Sequence, residues 1–388
     1  MTGTRPRSPI LPGATIGILG GGQLGRMTAM AARSLGYRIH VMDPDPSCPA
    51  RFVVDACFEG DWDDAHAAAE LARGSDVVTL EIEQVSLECL DAAAQYAPVR
   101  PSRGLMRIIQ DRILQKDWLR DRGFPVGRYR AIETESQLHE AALALGGRCF
   151  VKTAKGGYDG RGQARIGFSG RLGEVGAEVR EAWFALGERP CVAEQALNLE
   201  KEISVMVART PSGEVKSFPS ALNHHENQIL VWSAIPSSIP AELEHRAQEL
   251  ALRLATELEL EGLLAVEMFL TKEGSLLINE LAPRPHNSYH ASERACVTSQ
   301  FEQAVRAVCD LPLGDVSVVQ PAAIANLLGD VWLKGNPRFD LALGVPGVRL
   351  HLYEKHQPRK GRKMGHLSAV GATPGEAIAR VLEAEQLL

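Results

Sequence analysis

The stretch Phe150-Val-Lys-Thr-Ala-Lys-Gly-Gly-Tyr-Asp-Gly-Arg-Gly-Gln163 concentrates chemistry-bearing residues. Gly156, Gly157, Gly160 and Gly162 stand beside Lys152 and Lys155, interleaved with Asp159 and Arg161. Glycine lets backbone N–H groups turn toward an anion at close range, and Lys152, ending the apolar run Cys149-Phe150-Val151, adds a fixed positive charge. That chemistry suits a polyphosphate. It is not the P-loop pattern, because no Gly-Lys-Ser/Thr follows the glycines. A Gly-rich hairpin tip has the same composition, so the stretch by itself is compatible with both.

A second constellation lies in Gly262 to Leu281, where two apolar runs are joined by a turn centred on Glu273-Gly274. A two-residue loop sets Lys272 opposite Ser275, and counting outward sets Glu267 opposite Glu280; a longer loop shifts this register. Like charges directly opposite destabilise a sheet, and burying an ionised carboxylate without a partner costs several kcal/mol. A cation between the two glutamates resolves the conflict; so does a separate basic partner for each. Oxygen ligands near a phosphate favour Mg²⁺, and the absence of His/Cys clusters with suitable spacing disfavours zinc.

The elements that position these residues follow from periodicity. Ala14 to Leu19 reads as a strand, Gly20-Gly-Gly-Gln-Leu-Gly-Arg26 as a turn, Met27 to Leu35 as a helix and Arg38 to Met42 as a strand: a β-α-β unit of a parallel sheet. Gly20, Gly22 and Gly25, with Asp43 about 20 residues on, match a dinucleotide fingerprint, but a helix N-terminus binds a phosphate monoester equally well. The strand Asp76 to Leu80 delivers Glu81 and Glu83 to the ligand-binding edge of that sheet, where surface acids in a loop are the plain alternative. Met106 to Arg122 reads as one helix, stopped by Gly123 and Pro125. Pro240 to Leu258 reads as another helix. We expect residues 1–103 to form a Rossmann-like domain, 104–320 a phosphate-binding domain with a mobile lid at about 124–187, and 321–388 a small C-terminal domain.

Composition bounds the rest. The chain has 388 residues, net charge −6 and pI near 6.0, so no general attraction to nucleic acid or anionic membrane is expected and phosphate binding must be local. Its seven cysteines include no C-x-x-C pair, which suits a reducing cytosol, and no apolar run reaches the ~18 residues that span a membrane.

Taken in order, Phe150-Val-Lys152, the loop Gly-Gly-Tyr-Asp-Gly-Arg-Gly, Glu194-Gln195 and the Glu267/Asn279-Glu280 hairpin resemble the ATP-grasp superfamily. Residues 20–26, Glu81-Ile-Glu83, Asn279-Glu-Leu-Ala-Pro-Arg-Pro-His-Asn-Ser288 and Lys360-Gly-Arg-Lys-Met-Gly-His-Leu367 resemble its 5-(carboxyamino)imidazole ribonucleotide synthase family, over residues 14 to about 370. The resemblance implies an α/β and α+β ATP-grasp fold and a cytoplasmic homodimeric ligase. Such an enzyme joins 5-aminoimidazole ribonucleotide, bicarbonate and ATP through carboxyphosphate. ATP would meet Arg112, Lys152, the loop Tyr158, Asp159, Gly160, Arg161, Gly162 and Gln163, the adenine contacts Glu194, Gln195, Ala196 and Leu197, then Glu202, His225, Asn279 and Glu280. Glu267 and Glu280 would hold Mg²⁺. The ribonucleotide would meet Gly22, Gln23, Leu24, Glu81, His286, Asn287, Lys355, Arg362 and Lys363. Asp159, Lys355 and Arg284 are the implied catalytic residues.

Four rival readings differ in what they leave unexplained. A dinucleotide-dependent oxidoreductase accounts for residues 14–43 but not for the second glycine loop or the glutamate hairpin. A formate-dependent glycinamide ribonucleotide transformylase shares the scaffold but not Tyr158-Asp159 or Gly361-Arg-Lys-Met-Gly-His366. A biotin carboxylase needs a longer chain. A nucleotide-binding subunit without catalysis would not need every expected catalytic side chain.

Overall fold

The computed structural model describes residues 8–156, 162–168 and 175–388. Tyr158, Asp159, Gly160 and Arg161 lie outside the described residues. Thr15–Leu19 (β1), Arg38–Asp43 (β2), Ala56–Glu59 (β3) and Val77–Leu80 (β4) form a parallel sheet in the order β3-β2-β1-β4. The strand order reverses between β1 and β4, and a ligand crevice opens at such a reversal. Gly20 to Gly22 leave β1 there, Glu81 leaves β4, and the helix Gln23–Ser34 starts there.

Tyr129–Ile132 (β5), Cys149–Thr153 (β6), Gln163–Ile166 (β7) and Cys191–Gln195 (β8) form an antiparallel sheet in the order β5-β8-β6-β7. The helices Glu135–Ala144 and Val175–Ala185 pack on it over Leu138, Val151, Val179 and Trp183. The sheet runs past residue 187, since β8 pairs with both β5 and β6 and carries the ladder between them.

The largest sheet has nine strands: Leu199–Arg209 (β9), Val215–Ser217 (β10), Ala221–Glu226 (β11), Ile229–Ile235 (β12), Gly262–Thr271 (β13), Leu276–Ala282 (β14), Ala322–Leu328 (β15), Val348–Leu352 (β16) and Lys363–Val370 (β17). Their order is β14-β13-β9-β11-β12-β15-β17-β16, with β10 on the end of β9. The C-terminal strands therefore extend the central sheet. One hydrophobic core joins it to the first domain: Val205, Leu264 and Val266 share a cluster with Leu19, Val78 and Met106. No helix among the described residues is long and apolar enough to cross a membrane.

Two local expectations change. The helix expected over Met106 to Arg122 is two helices, Arg103–Ile109 and Arg112–Asp121. Asp111 breaks them because its side chain accepts from the Ile113 and Leu114 N–H groups and caps the second. The hairpin loop has three residues, Lys272 to Gly274. Gly274 N–H donates to Thr271 O at 2.9 Å, Thr271 N–H to Ser275 O at 2.9 Å, and Gly274 sits at φ +79°. This offsets the register by one, and a bulge offsets it back. Met268 pairs with Ile278 and Glu267 with Glu280, leaving Asn279 unopposed. The expected Glu267–Glu280 pairing therefore stands, but on two compensating irregularities.

Leu264 is fully buried where the domains share their core. Leu264→Ala should cost about 2–5 kcal/mol and lower the thermal unfolding midpoint by several degrees. An unchanged midpoint would mean that the shared core does not unfold as one unit.

Candidate active site

β6 carries Lys152 one residue before its end, and its ammonium lies 3.3 Å from Glu194 Oε1 and 3.4 Å from Asn279 Oδ1. Lys116, on the helix Arg112–Asp121, comes from the other side: its Nζ lies 3.2 Å from Glu194 Oε2 and 3.3 Å from the Asn279 carbonyl. The bulge at Asn279 thus offers a carbonyl to one lysine and an amide to the other. Burial pushes the Lys116 ammonium down, and the Lys152 charge adds to this against the pull of Glu194. Burial pushes Glu194 up, but Lys152 and Lys116 outweigh it and hold the carboxyl below its ordinary range.

Arg112 braces the glycine loop, donating to the Thr153 and Gly156 carbonyls at 3.0 and 2.6 Å. Lys116 is the residue that sequence reasoning missed as part of the site. Its i,i+4 spacing from Arg112 on one helix face was the available signal.

Glu267 and Glu280 face each other across β13 and β14. Burial raises Glu267, but its contact with His286, together with the charges of His225 and Lys152, brings it below the ordinary range. Burial and then the Glu267 charge raise Glu280, against Lys152, Arg112 and His286. One carboxylate is thus comfortable as an anion and its neighbour is not. A hard cation between them would relieve both, so the donor set fits Mg²⁺.

His286 was expected to face the ribonucleotide. The structure places its Nε2 3.1 Å from Glu267 Oε1, because the chain turns back directly after β14. Asn287 lies one residue on, its Oδ1 3.1 Å from His290 Nε2. A bulge at His224/His225 turns consecutive histidines to different partners. His224 stacks on Trp232 at 5.1 Å, while His225 Nδ1 lies 2.8 Å from Glu202 Oε2. Of the expected adenine contacts, Gln195 and Ala196 spend their N–H groups on the Arg128 and Arg148 carbonyls. Leu197 follows in the connection to β9, and Gln163 opens β7 after Gly162.

At the edge of the first sheet, Glu81 accepts from Gly22 N–H and Gly25 N–H, each at 2.6 Å. Asp43 accepts from Gly21 N–H at 2.8 Å. A Cβ on Gly25 would lie 2.4 Å from the Gly20 backbone carbonyl oxygen, so glycine is required there. Both features of a dinucleotide fingerprint are therefore used inside the protein. The C-terminal segment reaches the same edge: Lys355 Nζ donates to Gln23 Oε1 at 2.7 Å, beside Leu24, and Arg26 pairs with Glu354 at 2.9 Å. Arg284 pairs with Glu83 at 2.8 Å.

Arg362 and Lys363 part company, as neighbours along an extended chain do. Arg362 donates to the Gln357 carbonyl at 2.9 Å and interacts with Asp45. Lys363 is buried, and its charge opposes the Glu202 and Glu267 contacts that, against the cost of burial, raise His225.

The folded Glu194 titrates below its ordinary value near 4.5, so its share of stability is complete above that pH and is lost as pH falls. The midpoint difference between the unmodified chain and Glu194→Gln should therefore be largest near pH 6 and shrink toward pH 4. A difference independent of pH would show that the lysines do not hold the ionised carboxylate.

With this geometry in hand, comparison with known proteins is informative. The ribonucleotide synthetase preATP-grasp domain family matches residues 13–110 and the ATP-grasp domain family residues 117–301. The phosphoribosylaminoimidazole carboxylase C-terminal domain family matches residues 322–380. The N5-carboxyaminoimidazole ribonucleotide synthase of Bacillus subtilis is 39% identical over 374 residues, 96% of this chain and 95% of that protein. A solved ADP complex of purK, an N5-carboxyaminoimidazole ribonucleotide synthetase, superposes with TM-score 0.89 at 41% identity, covering 97% of each chain. The synthase of Aspergillus clavatus, solved with ADP and 5-aminoimidazole ribonucleotide, gives TM-score 0.87 at 31% identity over 96% of this chain and 98% of its own. By these matches the chain belongs to the N5-carboxyaminoimidazole ribonucleotide synthase family of ATP-grasp enzymes.

Proposed function

We propose that this chain couples ATP cleavage to the joining of bicarbonate and 5-aminoimidazole ribonucleotide, releasing N5-carboxyaminoimidazole ribonucleotide, ADP and phosphate. The observation that carries the reading is the buried pair Glu267–Glu280 beside the lysines that converge on Glu194. A polyphosphate needs both fixed positive charge and a metal, and the two lysines beside the glutamate pair support that reading. Glu267 and Glu280 would hold Mg²⁺, which would supply charge neutralisation for the transferring phosphoryl group.

The chain's own residues have distinct parts. Lys152 and Arg112 hold phosphate oxygens, with the loop from Tyr158 to Gln163 over them. Glu194 to Leu197 line adenine, and Glu202, oriented by His225, accepts from ribose hydroxyls. Asn279 positions Lys152. Gln23 and Leu24 at the helix N-terminus, with Glu81 fixed behind Gly22, meet the ribonucleotide. Lys355 and Arg362 approach its phosphate from the C-terminal segment, with Lys363 behind them; His286 and Asn287 border the cleft, and Arg284 is held across it by Glu83. Asp159 takes or orients the proton of the weakly basic amine. Closing the site against water protects carboxyphosphate from hydrolysis. A cytoplasmic homodimer, with domains at 1–103, 104–320 and 321–388, completes the reading.

Phosphate release from Mg·ATP in bicarbonate buffer should rise when 5-aminoimidazole ribonucleotide is added. It should fall by at least about a hundredfold in Glu280→Gln and be impaired in Asp159→Ala. EDTA should abolish it. Release stimulated instead by formate and glycinamide ribonucleotide would move the acceptor assignment to the sister enzyme, and no release under any condition would leave a nucleotide-binding module.

A further inference from the structure

Away from the glutamate hairpin, three imidazoles stack in a column where the C-terminal strands meet the chain that follows β14. His290 and His366 lie 4.7 Å apart at 7°, and His366 and His351 4.5 Å apart at 8°. His290 is satisfied on both nitrogens, by Asn287 Oδ1 at 3.1 Å and Gln300 Nε2 at 3.4 Å. His366 is not. It is 0% exposed, its Nδ1 lies 2.7 Å from the Tyr353 hydroxyl, and its Nε2 has no hydrogen-bond partner among the described residues. A buried polar atom left unpaired costs about 1–3 kcal/mol, so its retention calls for an explanation.

One ligand atom from each of Glu293, His351 and His366 falls within 4.8 Å of the others, with His351 Nε2 4.0 Å from Glu293 Oε2. We propose that Glu293, His351 and His366 form a site for a divalent transition-metal cation of the zinc class, separate from the Glu267–Glu280 pair. Two imidazole nitrogens and a carboxylate oxygen suit Zn²⁺ or Co²⁺ and suit Mg²⁺ poorly. The spacing 293, 351, 366 gave no motif in the sequence; only the adjacency of β16 and β17 beside the helix Ser292–Ala295 assembles the set.

Supporting features surround it. Burial keeps both imidazoles neutral, the form that ligates. The Tyr353 hydroxyl on the far nitrogen of His366 fixes that ring's orientation, as outer partners of ligating histidines do. Glu293 and His351 border a groove of about 490 Å³ between β16 and the helix Gln23–Ser34, which gives an ion a path in and room for water as a further ligand. Two features oppose tight binding. The near-parallel rings do not aim both lone pairs at one point, so His351, on the edge strand β16, must turn toward Glu293 while His366 stays. Arg294 and Arg349 also lie close enough to lower His351, and they weaken a cation's hold. The expected affinity is therefore micromolar.

The test is a titration of the chelator-stripped full-length chain with Co²⁺, followed by its visible d–d absorption, and with Zn²⁺ by calorimetry. One equivalent should bind at micromolar concentration. Glu293→Gln and His351→Gln, both at partly exposed positions and so expected to fold, should each weaken binding at least about tenfold. Glu280→Gln should leave it unchanged. Zn²⁺ should also raise the unfolding midpoint of the unmodified chain by a few degrees and not that of His351→Gln. Absence of saturable binding, binding indifferent to both Glu293→Gln and His351→Gln, or binding lost in Glu280→Gln would each overturn the proposal.

Discussion

Like charge held out of water is the constraint on which this structure turns. Glu267 and Glu280 sit side by side in mostly apolar strands, and neither can be ionised there without help. The help arrives unequally: His286 stands on Glu267, while Glu280 has the more distant charges of Lys152 and Arg112. A regular hairpin would not supply these neighbours. The bulge at Asn279 frees a carbonyl and an amide for Lys116 and Lys152, which draws strand β6 and the helix Arg112–Asp121 onto β14. Three separate elements are thus fixed by one extra residue in one strand.

The same economy governs positive charge. A chain with net charge −6 cannot attract phosphate by its overall field, so it must gather cations locally, and gathered cations repel. Each gathering is balanced by an internal carboxylate. Glu194 lies between Lys116 and Lys152, Glu81 occupies the N–H groups that open the first helix, and Glu354 lies against Arg26. These acids keep basic groups converged in the absence of ligand, which is preorganisation obtained from the chain's own charges.

How much of this could be read from the sequence depends on range. The β-α-β unit and the glycine turn are local, and periodicity revealed them. The Glu267–Glu280 opposition was also reached by counting, though a three-residue loop and a bulge each moved the register by one and cancelled. Residues brought together over long separations were the ones that escaped. Lys116 looks like any lysine on a helix until β8 places Glu194 beside it, and the contact of His286 with Glu267 forms only through the turn after β14. Asp111 was legible as a helix residue but not as the cap that divides two helices.

Sheet continuity explains how such distant residues meet at one cleft. From β14 to β17 there are six strand-to-strand steps, which a flat sheet would spread over roughly 30 Å. Twist of about 20–25° per step rotates the two ends strongly with respect to each other. The first domain then bridges them: Arg284, just past β14, grips Glu83, while Lys355, just past β16, grips Gln23. Both grips fall at the edge of a parallel sheet where the strand order reverses. The hydrophobic core shared by Leu19, Val78, Val205 and Val266 fixes that edge against the central sheet. The small domain at the start of the chain is therefore the piece that sets the distance between the glutamate hairpin and the basic C-terminal segment.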